Sequence, residues 1–135
     1  MSRESLIKKI TASGCDFETD DRFSRGLEAI YFPGKKLRFW ANGEKIVAVF
    51  GDTAHYKGKR LAANYTESKI VALLGKPDRV KIQPAMEDVG SARYLYYEDG
   101  EKGVVLKVAL GDPLPRGLSE WTVTGLYLYE QGSFW

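Results

Sequence analysis

Asn42-Gly43 stands between two apolar segments, Lys36–Ala41 and Glu44–Phe50. Asn-Gly in that setting is the strongest short-range hairpin signal a sequence carries, and a tight turn of this kind joins antiparallel strands. The same punctuation recurs along the chain. Pro33-Gly34 separates Glu28–Phe32 from Lys36–Ala41, and Asp99-Gly100 separates Arg93–Tyr97 from Gly103–Leu110. A last strand is predicted over Glu120–Tyr129, beyond the proline-containing loop Gly111–Gly117, and a short aromatic tail, Gln131–Trp135, follows it.

Two segments read as helices. Over residues 3–13, Leu6, Ile7 and Ile10 share one face, Lys8 and Lys9 the other, and Gly14 ends the pattern. The second helix has Thr66 as its cap, with Tyr65 and Ile70 placed for a hydrophobic staple. Its apolar stripe is Ile70, Val71, Leu73 and Leu74, closed by Gly75-Lys76-Pro77. With 135 residues the chain reads as a single domain, 1–135, with repeat-like halves over about 1–52 and 64–130. The expectation is an α+β fold: two helix–strand–strand–strand repeats forming one antiparallel sheet of about six strands, with both helices on one face.

Composition narrows the chemistry. One cysteine allows no intramolecular disulfide and no multi-cysteine metal site, and one histidine removes most histidine-based metal and nucleophile schemes. A net charge of +2 does not by itself point to nucleic acid. The expectation is no catalytic residue, no cofactor and no metal. The longest apolar runs, Ile70–Leu74 and Ile46–Phe50, fall far short of the roughly 20 residues a membrane span needs. Ala12-Ser13-Gly14-Cys15 imitates the end of a lipoprotein signal, but Lys8 and Lys9 interrupt the apolar stretch such a signal requires. A cytoplasmic chain with Cys15 as a small unmodified thiol is the expectation, with no membrane association.

Leu74-Gly75-Lys76-Pro77-Asp78, followed some twenty residues later by Tyr94-Leu95-Tyr96-Tyr97 and a glycine hairpin, resembles a small bacterial superfamily. It includes the β-lactamase inhibitor protein and the small lipoprotein of the outer-membrane barrel-assembly machinery. The likeness lies in Thr66–Tyr129. The first half matches in outline only, since Gly14-Cys15-Asp16 lacks the proline. The resemblance implies a helix-backed sheet used for binding protein, without catalysis, and bacterial toxin–immunity pairs use similar folds.

Alternation supplies a candidate face. With Leu37, Phe39, Leu95, Leu106 and Val108 turned toward the helices, Arg38, Trp40, Tyr94, Tyr96 and Lys107 turn away. Tyr127 and Tyr129 join them if a bulge at Gly125 sends Leu126 and Leu128 inward beside Trp121 and Val123. Tyrosine, tryptophan and arginine are the residue types of binding hot spots, and equally those of half-buried cross-strand pairs. Asp16, Glu18, Asp20 and Asp21 form an acidic run that is either a decoy for a basic partner or a solvated loop. The basic stretch Tyr56–Arg60 fits a single-strand nucleic-acid contact or a soluble connection. His55 lacks a nucleophile motif.

The leading expectation is a non-enzymatic inhibitor that binds another protein, a bacterial immunity protein neutralising a toxin domain. The alternatives are a phage inhibitor of a host defence protein, a nucleic-acid module centred on Tyr56–Arg60, and a small hydrolase or nuclease using His55 with a carboxylate.

Overall fold

The computed structural model describes residues 2–20, 26–86 and 90–133. In chain order its elements are α1 (Arg3–Thr11), β1 (Glu18–Asp20), β2 (Glu28–Phe32), β3 (Leu37–Asn42), β4 (Lys45–Gly51), β5 (Thr53–Tyr56) and β6 (Lys59–Ala62). They continue with α2 (Glu67–Leu74), β7 (Arg79–Met86), β8 (Gly90–Asp99), β9 (Val104–Gly111) and β10 (Thr122–Glu130). Eight strands form one antiparallel sheet in the order β1-β2-β3-β4-β10-β9-β8-β7, and β5 and β6 form a separate two-stranded sheet.

This overturns the expected architecture of two helix–strand–strand–strand repeats and about six strands. The chain is 52% strand and 20% helix, so sheet dominates. Two of the additional strands, β1 and β7, lie in stretches where no strand is expected, and the β5–β6 hairpin carries the basic stretch Tyr56–Arg60. The hairpin turn is Lys57-Gly58, with φ of 49° and 77°. Both residues must be left-handed in a two-residue turn of this type, and lysine is an unexpected occupant of the first position.

The chain divides into two compact units, Met1–Gly51 with Tyr129–Trp135, and Asp52–Leu128. In the first unit Leu6 and Ile10 of α1 pack with Ile30, Phe32 and Ala41, with Leu37, Phe39 and Ile46 partly buried around them. Register explains the grouping: Ile30 pairs with Phe39 and Phe32 with Leu37, so these side chains share the helix face. The Phe32 and Phe39 rings meet edge to face at 5.8 Å.

In the second unit α2 and the β5–β6 hairpin both contribute to one larger core. Ile70, Tyr56 and Leu61 pack with Leu95, Tyr97, Leu106, Val108, Leu110, Val123 and Leu126. Thr66 caps α2, its Oγ1 accepting from the Lys69 amide at 3.2 Å. Tyr65 and Ile70 both join this core, as a staple requires. At the other end the Tyr97 hydroxyl donates to the Gly75 carbonyl at 2.9 Å. Burial, with Glu67 and Asp78 nearby, raises that phenol to about 12. Trp121, Val123, Leu126 and Leu128 all lie with this core, so the alternation along β10 is interrupted between Val123 and Leu126.

Candidate functional site

The face of the second unit opposite α2 follows from register. Leu95 and Val108 are core, so their strand neighbours Tyr94, Tyr96 and Lys107 point the other way. Tyr96 pairs with Lys107 on one side and Arg79 on the other, and Tyr94 pairs with Lys81. Cross-strand partners share a face, which brings three cations and two tyrosines together.

The ammonium of Lys107 sits 4.5 Å from the Tyr94 ring centroid, 5.0 Å from Tyr127 and 5.8 Å from Tyr96. The Arg79 guanidinium lies 4.1 Å over Tyr96. Each ring presents its negative face to a cation. Lys107 is only 4% exposed. Burial, reinforced by the positive charges of Lys81 and Arg79, lowers its ammonium to about 8. Burial likewise raises the Tyr96 phenol, against the opposing pull of Arg79. Lys81 and Arg79 stay exposed, Arg79 with the Glu98 carboxylate 3.6 Å away, so the face presents a net positive rim around an aromatic centre.

Further along the same face lies a cavity of about 420 Å³, lined by Gln83, Pro84, Ser91, Tyr94, Gly111 and Arg116 among others. Its wall is held by hydrogen bonds. Asp112 accepts from the Leu114 amide at 3.0 Å and from the Ser91 amide and hydroxyl at 3.2 and 2.9 Å, and these bonds hold its carboxyl below the ordinary value. Arg116 donates to the Gly111 carbonyl at 3.3 Å and to the Thr122 hydroxyl. A Cβ on Gly111 would stand 2.8 Å from the Thr124 methyl and 2.9 Å from the Arg116 guanidinium, so a larger residue there would have to displace those side chains. The Tyr94 hydroxyl donates to Gln83 at 3.1 Å, linking the cavity to the tyrosine–cation cluster.

The structure thus gathers Tyr94, Tyr96, Lys107 and Tyr127 as expected, but not as an open surface. Tyr96 is 2% exposed and Tyr94 and Tyr127 half-buried. Trp40 and Tyr129, in the first unit, are 2% and 4% exposed, so they too are buried rather than displayed. Alternation says nothing about what covers a side chain once its side of the sheet is assigned. Arg38 is exposed, 5.1 Å over the Tyr31 ring. Asp16, Glu18 and Asp20 are exposed, the latter two on β1, and Asp21 lies outside the described residues, as do Phe134 and Trp135 of the tail.

His55 is exposed on β5, paired in register with Arg60. Tyr56 is 6% exposed and donates to the Tyr97 carbonyl, so its ring is not offered to a base. Arg79 and Lys81 were missed by sequence reasoning. Their signal was the period-two run Arg79-Val80-Lys81-Ile82-Gln83, cation alternating with aliphatic. Among the described residues no group of histidine, cysteine and carboxylates could hold a metal, and no helix is long and apolar enough to cross a membrane.

Compared with known proteins, the chain matches no family model, no curated protein and no solved structure. The resemblance drawn from Leu74–Asp78 and Tyr94–Tyr97 therefore rests on those residues alone.

Proposed function

We propose that this chain is a non-catalytic binding module that neutralises another protein, as a bacterial immunity protein neutralises its toxin, working in the cytoplasm. The observation that carries the reading is the cationic tyrosine face, with Arg79 and Lys81 exposed around the Tyr94–Tyr96–Lys107 cluster. Its centre is buried and its rim positive, which suits an acidic protein surface: the rim charges steer encounter and the half-buried Tyr94 supplies the anchor.

A photo-crosslinking side chain at position 81, used in the source cell, should trap one protein whose activity the purified chain inhibits. Tyr94→Ala should weaken that complex by about 2 kcal/mol, roughly thirtyfold, with the fold retained by circular dichroism. Trapping of nucleic acid in place of protein, or a trapped protein bound equally well by Tyr94→Ala, would remove the reading.

A further inference from the structure

We infer that the outer edge of β7 takes up an extended segment of the partner protein as an added strand, one whose residues alternate acidic and apolar. The inference deepens the binding reading above and rests on it. β7 ends the order of the eight-stranded sheet, and among the described residues no strand pairs with its outer side. Such an edge leaves alternate backbone N–H and C=O groups without a ladder partner, the template on which strand addition is built.

The side chains of that edge are sorted by face. Arg79 and Lys81 stand opposite Tyr96 and Tyr94, on the tyrosine face. Val80 and Ile82 stand opposite Leu95 and Arg93, on the α2 face, where they remain 46% and 66% exposed. An added strand would place its own residues beside each set: carboxylates next to Arg79 and Lys81, aliphatic groups over Val80 and Ile82. Past Gln83 the β7–β8 register shifts and Pro84 removes a donor, so the receptive edge runs over Arg79–Gln83. The cavity bordered by Gln83, Pro84 and Arg116 opens where the added strand would leave.

Charge selects the occupant. A second copy pairing β7 with β7 would bring Arg79 and Lys81 against the same cations, an arrangement disfavoured across strands. A second copy offering β1 brings only Glu18–Asp20, too short to span the edge. Lys81 and Pro84 also belong to the residue types that blunt sheet edges, a role that predicts no strand binding at all.

Fluorescence anisotropy with a labelled Glu-Val-Glu-Ile-Glu peptide decides between these. The expected result is saturable binding below about 1 mM, and binding at least about tenfold weaker for the same peptide N-methylated on alternate residues, which keeps the charges but cannot ladder. Arg79→Glu/Lys81→Glu should reject that peptide and accept Lys-Val-Lys-Ile-Lys. Equal binding of the N-methylated peptide, no binding at 1 mM, or self-association in sedimentation that the double variant abolishes would each overturn strand addition. If the crosslinked protein is still held by the Arg79→Glu/Lys81→Glu chain but lost from Tyr94→Ala, the binding module stands and the added strand fails. If no protein is trapped at all, it is the module that fails.

Discussion

In the first unit α1 starts at Ser2, whose Oγ accepts from the Ser5 amide at 3.1 Å and whose backbone bridges Lys45 of β4. In the second α2 starts at Thr66, whose Oγ1 caps Lys69 and whose backbone bridges Thr122 of β10. The first residue of each helix then forms an ion pair with a strand: Arg3 with Glu28 of β2, Glu67 with Arg93 of β8. The joint is the same and its charges are reversed. Helices of nine and eight residues are too short to persist alone, so this N-terminal joint and the apolar stripe together decide whether they form.

The far faces differ more. Half-buried Tyr31 and exposed Arg38 form a cross-strand cation–π pair in the first unit, whereas Tyr96 and Lys107 form the equivalent pair inside a buried cluster in the second. The same residue chemistry is thus worth little where water reaches it and more where it does not.

The helix-facing cores give the sharpest contrast. Leu106 is fully buried between α2, the hairpin and the sheet, while Leu37 is half-buried beside α1. Leu106→Ala should cost about 2–5 kcal/mol in urea unfolding, and Leu37→Ala no more than about 2. Equal losses would mean the two cores are packed alike and would erase the distinction.

Truncating the tyrosines probes the opposite faces. Tyr96→Ala should lose roughly 2 kcal/mol or more, because it opens a buried site and strips Lys107 of one ring. Tyr31→Ala should lose about 1 kcal/mol or less, the usual cost of a surface change. A Tyr96 variant as stable as wild type would show the cluster to be loosely held.

Titration separates the two cation–π pairs again. Unfolded lysine titrates near 10.4 while native Lys107 titrates at about 8, so between those values the unfolded chain binds the extra proton. Stability should therefore rise with pH from about 8 to 10, by roughly 1–3 kcal/mol. Above pH 10 the order inverts. Unfolded tyrosine ionises while Tyr97 holds its proton to about 12, so stability should fall again. Lys107→Met should flatten the rise and leave the fall, and Arg38→Met should change neither limb. A rise that survives in Lys107→Met would assign it to another group.

Much of this was legible in the sequence, and the gaps have physical causes. Strands that carry apolar alternation and end in Asn-Gly or Asp-Gly were found, as was α2, because cap, stripe and stop all agree there. β1 reads Glu-Thr-Asp, with no apolar face at all, and is exposed throughout. β7 alternates cations with aliphatics but follows directly on Gly75-Lys76-Pro77-Asp78, a stretch that looks like a continuing loop. The β5–β6 turn uses Lys57 where asparagine is usual. For the candidate site, period two placed Tyr94, Tyr96 and Lys107 on one face, but burial depends on neighbours distant in sequence. Trp40 at 2% exposure is the plainest example. With β7 unread, Arg79 and Lys81 could not be joined to that face.

The smallest effect tests the reversed joint. The N-terminal end of a helix carries partial positive charge, so Glu67 is placed favourably on α2 and Arg3 unfavourably on α1. Geometry offsets part of this: Arg3 engages Glu28 through two guanidinium nitrogens, with its Nη2 contact at 3.2 Å, while Arg93 meets Glu67 through a single 3.4 Å approach. All four side chains are partly exposed, between 23% and 33%, so solvent screening keeps either pair modest. Exchanging the charges in the first unit, Arg3→Glu with Glu28→Arg, puts an acid at the helix start and should stabilise by about 0.3–1 kcal/mol. The mirror exchange, Glu67→Arg with Arg93→Glu, should destabilise by a similar amount, and both effects should shrink in 1 M salt. Opposite signs in the two exchanges are the decisive result. If both exchanges destabilise, local packing of the pairs outweighs the helix field, and the two joints differ in fit rather than in polarity.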